Sequence, residues 1–205
     1  MASTTDAMNS TNSTNSTNST NSTNSTHSTS TMNTSTMNTR NSTNAMTGTT
    51  TAGPVTATPR LDFAKSARNA FRALIGFDAA AREGIDPALV ELIQIRASHL
   101  NHCAYCLHLH TNDARKAGES EDRLHMIPVW REARHFFTAR EQAALALTEA
   151  VTLVADGGVP DDVYAEAATH FDDTELALVL ALIFTINTWN RIALSTAKQA
   201  GTDTR

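Results

Sequence analysis

The chain of 205 residues carries 16 basic and 21 acidic side chains, which give it a formal net charge of −5. Only Asp6, Arg40 and Arg60 are charged in residues 1–60, so residues 61–205 carry a charge of −6 from 14 basic and 20 acidic residues. Proteins that bind nucleic-acid duplexes present a basic surface to the phosphates. We therefore expect no nucleic-acid partner.

The first 60 residues consist largely of Ser, Thr and Asn, without leucine, isoleucine or an aromatic residue, and residues 9–26 are six successive Asn-Ser-Thr triplets. Such a composition cannot bury a hydrophobic core. All eleven aromatic residues lie in residues 61–205, a length typical of one domain. The sequence predicts a disordered tail over residues 1–60 and a single folded domain over residues 61–205.

The amino-terminal sequence lacks the apolar stretch that secretory signal peptides contain. The longest apolar run, residues 176–186, spans eleven residues when Thr185 is included, whereas a membrane-spanning helix needs about twenty. We expect a cytoplasmic protein without a membrane partner, in which this run forms a buried core helix.

Helix start and stop signals recur along residues 61–205 and strand signals are nearly absent, so the predicted fold class is all-α. A first helix is predicted over residues 62–76. Asp86 and Pro87 then form the pattern of an N-cap followed by proline in the first turn, which predicts a helix to about residue 100.

A break at Asn101 and His102 is expected to separate that helix from the next one. The next helix is predicted from about Cys103 to Ala117, with Gly118 supplying the left-handed conformation common at helix ends. The two helices would then fold back on each other as a hairpin.

Four further helices or helix pairs are predicted after this hairpin. Residues 120–135 are predicted to hold two short helices divided at Pro128, and residues 160–170 one short helix. Capping boxes at residues 138–141 and 172–175 predict helices that run to about residues 157 and 199.

The chain has two cysteines, Cys103 and Cys106, and four of its eight histidines lie between His99 and His110. Spacing of three at a helix start brings both sulfurs to one face, and the helix dipole favours a thiolate there. His110 follows Cys106 by one helical turn, within reach for proton exchange. The cysteine pair alone suits a cycling dithiol and a zinc site about equally, and inert buried thiols are a further alternative.

Glu91 precedes the predicted break by about as many residues as His110 follows it. In a hairpin the carboxylate and the imidazole would therefore lie level, and a hydrogen bond between them would fix the tautomer of the histidine as a base. In one continuous helix, Glu91 and Cys103 would lie about 18 Å apart, at about 1.5 Å per residue.

These residues resemble the alkylhydroperoxidase D-like branch of the carboxymuconolactone decarboxylase superfamily. The resemblance covers about residues 60–198 and omits the tail. It is carried by Glu91, Ile95-Arg96-Ala97-Ser98, Cys103-Ala104-Tyr105-Cys106, His110-Thr111, Asp113-Ala114-Arg115-Lys116-Ala117-Gly118, Val129-Trp130-Arg131-Glu132 and Ile186-Asn187-Thr188-Trp189-Asn190-Arg191.

The resemblance implies an all-helical protomer that assembles as a homotrimer or homohexamer, without a bound metal or other cofactor. It implies a peroxiredoxin-like alkylhydroperoxidase with Cys106 as the peroxidatic cysteine and Cys103 as the resolving one. His110 would be the base and Glu91 its partner. Its substrates would be an organic hydroperoxide or hydrogen peroxide, and a lipoylated or thioredoxin-like dithiol protein would reduce it.

Two departures and two alternatives accompany this expectation. Tyr105 stands where the founding enzyme of the family has a further catalytic histidine, and His102 stands where relatives often have glycine. A protein disulfide reductase and a non-catalytic, zinc-stabilised helical oligomer are the alternative functions. His99, His102 and His108 are expected at the surface or at a subunit interface.

Trp130 and Trp189 are expected to anchor the core or a subunit contact. The last helix is more apolar than one core-facing stripe requires, so part of its second face is expected to contact a neighbouring subunit.

Overall fold

In the computed structural model, residues 58–202 are described, and they form an all-α fold without a strand, as the sequence predicts. The predicted tail lies outside the described residues except for its last three. The helices are α1 (Phe63–Ser66), α2 (Arg68–Arg82), α3 (Pro87–Leu100), α4 (Ala104–Lys116), α5 (Glu121–Met126), α6 (Ala139–Thr152), α7 (Asp161–His170) and α8 (Asp173–Ser195). Two short 3₁₀ helices, Ile127–Val129 and Arg134–Phe136, lie between α5 and α6.

Helix α3 is the centre of the fold, since it contacts α4, α6 and α8. Buried side chains cover it on two sides, which explains why its sequence is apolar almost all round. One cluster joins α3 to α6, α7 and α8 and includes Ile93, Leu147, Ala167, Leu182 and Ile183. A second joins α3 to α5, α6 and the first 3₁₀ helix and includes Leu92, Ile95, Leu124, Ile127, Trp130 and Leu145. A third, around the start of α4, includes Ala97, Cys103, Cys106 and Ile186.

The local capping signals predicted most helix starts correctly. Asp86 accepts from the N–H of Ala88 ahead of Pro87, and both predicted capping boxes, Thr138 with Glu141 and Asp172 with Glu175, are present. Side-chain oxygens satisfy N–H groups that the first helical turn leaves unpaired, so these starts depend on neighbouring residues alone.

Several helix ends differ from the prediction. The predicted first helix over residues 62–76 is two helices, because Ala67 leaves the helical conformation (φ −121°, ψ 49°), and the second part continues to Arg82. Helix α6 ends at Thr152 instead of about residue 157, and α8 ends at Ser195 instead of about residue 199. Pro128 lies inside a 3₁₀ helix that directly continues α5 and does not divide two helices.

Two helices end in a left-handed residue that is not glycine. His102 (φ 54°) follows α3, and Ala197 (φ 53°) follows α8. In both turns the next N–H reaches back to a helical carbonyl, from Cys103 to Ser98 (3.0 Å) and from Lys198 to Ala193 (2.9 Å), which is the Schellman pattern. The first turn delivers Cys103 to the start of α4, and the left-handed conformation explains why glycine suits the position of His102.

Helix α8 is long and apolar enough to cross a membrane by length and composition, yet it packs within the helical core. Leu182, Ile183 and Ile186 are fully buried. Two large apolar residues of the helix, Phe184 and Leu194, are exposed, at 49% and 45%. The helix is thus a core helix with two exposed apolar side chains.

Candidate functional site

Cys103 and Cys106 are buried free thiols at the start of α4, with their sulfurs 2.8 Å apart. Cys103 is the N-cap residue, and its sulfur accepts from the N–H of Cys106 at 3.4 Å. A disulfide bond is about 2.04 Å long, so a small movement of the two side chains would join them. The pair therefore has the geometry of a dithiol that can close.

The two thiols have opposite electrostatic environments. Hydrogen bonds from the Cys106 side chain and backbone, partly opposed by burial, lower the pKa of Cys103 from its ordinary value of 9.0 to about 7. The hydrogen bond with Cys103, burial and the charge on Cys103 raise the pKa of Cys106. As the pH rises, Cys103 therefore loses its proton first, and Cys106 keeps the proton that the pair shares.

Reduced protein is expected to form one thiolate per chain as the pH rises through about 7. The second thiol should stay protonated at pH 8.5, roughly where free cysteine ionises, because removing its proton would place two charges on adjacent sulfurs. Ultraviolet absorbance of the thiolate, followed against pH, measures both steps. In Cys106→Ala the step near pH 7 should move upward, and simultaneous ionisation of both thiols near pH 9 in the native protein would contradict the assignment.

Glu91 of α3 and His110 of α4 meet across the hairpin, as the spacing around the turn predicts. His110 Nδ1 lies 3.0 Å from Glu91 Oε2, and both side chains are largely buried. With Nδ1–H donated to the carboxylate, Nε2 is the basic nitrogen of the imidazole. The structure thus brings all four predicted site residues to one hairpin.

Arg82 of α2 is a member of this site that the sequence analysis missed. Its guanidinium lies 3.6 Å from Glu91 Oε1, and it donates to Asp78 (2.8 Å) and to Gln94 (3.0 Å). Glu91 therefore has a cation at one oxygen and an imidazole at the other. No local spacing rule links residue 82 to residue 110, so only the packing of α2 reveals this contact.

Asn190 of α8 is a second residue that the sequence analysis did not assign. It is fully buried, it donates to Ser98 Oγ (3.1 Å), and its Oδ1 accepts from Asn101 Nδ2 (2.9 Å). A hydrogen bond from Asn190 also helps to lower the pKa of Cys103, and another opposes the increase in the pKa of Cys106. A buried Asn in an apolar helix is a signal that could have identified it, because buried polar groups need partners.

Asn190→Leu is expected to destabilise the reduced protein by about 1–3 kcal/mol, since Ser98 and Asn101 lose a buried hydrogen-bond partner. Denaturant unfolding under reducing conditions measures the loss. Asn112→Leu on the outer part of α4 is the control and should change stability by less than about 0.5 kcal/mol. Equal effects of the two changes would contradict a buried network around Asn190.

A cavity of about 790 Å³ opens beside the second cysteine. That volume lies within the range of about 300–1,000 Å³ typical of small-molecule sites. Apolar side chains form most of its wall, namely Phe71, Ile75, Leu109, Trp189 and Ile192, and Tyr105, Cys106, His110 and Lys198 are among its polar lining. A small molecule in this cavity would meet Cys106, whereas Cys103 lies behind it.

Glu91 lines a smaller cavity of about 140 Å³ together with Glu119. His110 lines the large cavity, so the hydrogen-bonded pair joins the two. A cavity of this size with carboxylates in its wall is large enough for water. The Glu91–His110 pair therefore lies between the two cavities.

The remaining predicted residues have structural roles or lie at the surface. Trp130 is buried and donates to Glu149 at 2.6 Å, as expected of a core anchor, whereas Trp189 is half-buried in the cavity wall. His102 and His108 are exposed. His99 is half-buried, and its burial, followed by the charge of Arg96, lowers its pKa to about 4, so it is neutral at pH 7.

A zinc site would need three or more suitably placed ligands. Across residues 58–202, no group of three or more His, Cys, Asp or Glu side chains has the arrangement to hold a metal ion. The zinc alternative therefore has no ligand set within this part of the chain.

Comparisons with known proteins identify a family and relatives that are similar to this chain. The profile of the Carboxymuconolactone decarboxylase family matches residues 68–150. An uncharacterized protein of Bacillus subtilis (strain 168), YdfG, is 41% identical over 110 residues, which are 54% of this chain and 74% of that protein.

Two solved structures are similar to the fold. One is a protein of unknown function from Agrobacterium tumefaciens, proposed to be the antioxidant defence protein AhpD, with a TM-score of 0.68 and 35% identity over 71% of this chain and 100% of that one. The other is an uncharacterized peroxidase-related protein from Silicibacter sp. TM1040, with a TM-score of 0.56 and 22% identity over 65% and 70% of the two chains. The second likeness concerns the fold alone.

Proposed function

This chain belongs to the carboxymuconolactone decarboxylase family, in its AhpD-like branch, and we propose that it is a thiol-dependent peroxidase for alkyl hydroperoxides. The observation that carries the proposal is the pair of free sulfurs 2.8 Å apart, beside the Glu91–His110 hydrogen bond and at the wall of an apolar cavity. The decarboxylating branch of the family uses no such cysteine pair, so the two sulfurs favour redox chemistry.

In the first step, the Cys106 sulfur attacks the terminal oxygen of the hydroperoxide. The thiol proton passes to His110, either directly or by way of the Cys103 thiolate, which is then restored. The O–O bond breaks, Cys106 becomes a sulfenic acid, and the leaving alkoxide takes up a proton in the cavity and departs as the alcohol. Cys106 is assigned this role because it lines the cavity, although Cys103 is the sulfur with the lowered pKa.

In the second step, the Cys103 thiolate attacks the sulfur of the sulfenic acid. The hydroxide leaves as water after it receives a proton from the His110–Glu91 pair, and a disulfide forms. A dithiol donor, such as a lipoylated or thioredoxin-like protein, then reduces the disulfide and restores both thiols. No metal or other cofactor takes part in this scheme.

Thiol titration before and after peroxide tests the proposal. One equivalent of tert-butyl hydroperoxide should reduce the count from two free thiols per chain to none, and dihydrolipoamide should restore both. A count that stays at two after peroxide would refute the peroxidase. Rapid disulfide exchange with a protein substrate in the absence of peroxide turnover would favour the alternative, a protein disulfide reductase.

Assembly and location are part of the same proposal. The exposed apolar residues Phe184 and Leu194 of α8 support a contact between copies of the chain, as a homotrimer or homohexamer. Arg191 lies between them and donates to Asn187 within its own helix. A monomer in sedimentation at low concentration would exclude the assembly, and a cytoplasmic location is the one in which a reduced dithiol persists.

A further inference from the structure

We propose that Tyr105 is the proton donor to the leaving oxygen of the hydroperoxide, and that Lys198 positions and supports it. This inference rests on the proposed function and adds a second acid to the site. His110 and Glu91 serve the sulfurs, whereas the Tyr105–Lys198 pair serves the alcohol that departs.

The contact between the two residues is specific. Lys198 Nζ donates to the Tyr105 hydroxyl at 2.5 Å and also lies 4.0 Å from the centre of the tyrosine ring. Tyr105 is buried, it directly precedes Cys106 on α4, and both residues line the cavity with Lys198. A phenol oxygen that accepts from an ammonium group gives up its proton more readily, because the phenolate that forms is stabilised.

The backbone delivers Lys198 to this position. Helix α8 ends at Ser195, and Ala197 then adopts a left-handed conformation. This conformation is energetically unfavourable for a residue that has a Cβ atom. The N–H of Lys198 closes the turn on the carbonyl of Ala193, which itself lines the cavity. The turn thus places the Lys198 ammonium at the Tyr105 hydroxyl and over its ring.

Lys198 is available to Tyr105 because other charged residues in the cavity wall already have partners. Arg82, the other cation in the wall, is engaged by Asp78 and Glu91, and Asp62 caps α1. Among residues 58–202, Lys198 has no carboxylate within ion-pair distance. Its charge also opposes the increase in the pKa of Cys106, so the ammonium acts on the reacting sulfur as well.

Tyr105 supplies one proton to the reaction and recovers it from water. The Cys106 sulfur forms a bond to the terminal oxygen and is oxidised by two electrons, the O–O bond breaks, and the inner oxygen takes the electron pair. That oxygen receives the phenolic proton and leaves as the alcohol. The Tyr105 phenolate, held by the Lys198 ammonium, regains a proton from water, which reaches the exposed Lys198 at the cavity mouth.

Leaving-group dependence tests this assignment. tert-Butyl hydroperoxide releases an alkoxide, which is strongly basic, like hydroxide, whose conjugate acid has a pKa of about 16, and therefore needs a proton. Peracetic acid releases acetate, a carboxylate whose conjugate acid has a pKa of about 4, and this leaving group is stable without a proton. We expect Tyr105→Phe to slow oxidation of the reduced protein by tert-butyl hydroperoxide on the order of 10²-fold. Its rate of oxidation by peracetic acid should stay within about threefold of the native rate. Stopped-flow measurement of thiol loss gives both rate constants.

Lys198 variants supply an independent readout. Lys198→Met keeps the aliphatic stem but removes the charge. It should slow tert-butyl hydroperoxide much more than peracetic acid, because losing the charge near Cys106 affects both peroxides alike, whereas losing the support of the phenolate affects the first alone. Lys198→Arg should recover most of the tert-butyl hydroperoxide rate. Lys116→Met is the control. It removes the charge of Lys116, which pairs with Asp113 at the exposed end of α4, the helix that carries Tyr105, and it should change neither rate.

The outcomes separate the two proposals. Equal slowing of both peroxides in Tyr105→Phe, or no slowing of either, would overturn the proton donor while leaving the peroxidase intact. If neither peroxide oxidises the native protein, the proposed function itself fails, and the inference falls with it. Should Tyr105→Phe fold poorly, the Met and Arg variants at Lys198 decide the question alone.

Discussion

Replacing Cys106 with serine is expected to abolish peroxide consumption, by a factor on the order of 10³ or more, because the nucleophile is lost. Cys106 is the sulfur that a molecule in the 790 Å³ cavity would meet, and the hydroxyl that replaces it is a far weaker nucleophile. Peroxide loss in a coupled assay with dihydrolipoamide as donor measures the effect.

Cys103→Ser is the matched variant. It should still react once with peroxide, and the sulfenic acid on Cys106 should persist because no second thiol lies 2.8 Å away to remove it. A sulfenic-acid-specific reagent followed by mass spectrometry would locate the adduct. An adduct on Cys103 in the Cys106→Ser protein would reverse the two roles, which the lowered pKa of Cys103 permits. Mild and equal effects of the two serine substitutions on peroxide consumption would argue against both roles.

Glu91→Gln is expected to lower the peroxidase rate on the order of 10²-fold with little change in fold, because the amide keeps the shape but removes the negative charge beside His110. The imidazole then loses the carboxylate that accepts its Nδ1–H and orients the ring while it transfers protons between the sulfurs. Steady-state rates with a saturating dithiol donor measure the effect, and circular dichroism checks the fold.

The chain offers a second Glu–His pair as a control for this change. His170 Nε2 lies 3.2 Å from Glu166 Oε1 at the surface of α7, with the Glu166 side chain 64% exposed. Glu166→Gln should leave the rate unchanged, since that pair contacts neither cysteine. If Glu91→Gln were equally silent, the proton relay would have to be abandoned.

The hairpin shows how far sequence reasoning reaches in this protein. Asp86 with Pro87 at one end and Gly118 at the other are signals that act within a few residues, and they predicted both α3 and α4. Once the two helices and the break between them were assigned, the meeting of Glu91 and His110 followed from equal spacing around the turn.

Helix ends were predicted less well, because the forces that end a helix come from elsewhere in the fold. Helix α8 stops at Ser195 where a left-handed Ala197 turns the chain toward Tyr105, and no glycine marks that position. The break at Ala67 likewise has neither glycine nor proline. Neither turn has a local sequence signal that outweighs the helical propensity of alanine.

By itself, the sequence determined the all-α class, the order of the helices and the hairpin that joins an acid, an imidazole and two thiols, because each depends on contacts within about twenty residues. Only the tertiary structure decided which sulfur holds the charge and which lies at the cavity, and it alone brought Arg82, Asn190 and Lys198 to the site. These properties arise from burial and from side chains of α2 and α8 packed against the hairpin. Electrostatic and solvent effects of that kind depend on distance in space, which the spacing of residues along a chain does not specify.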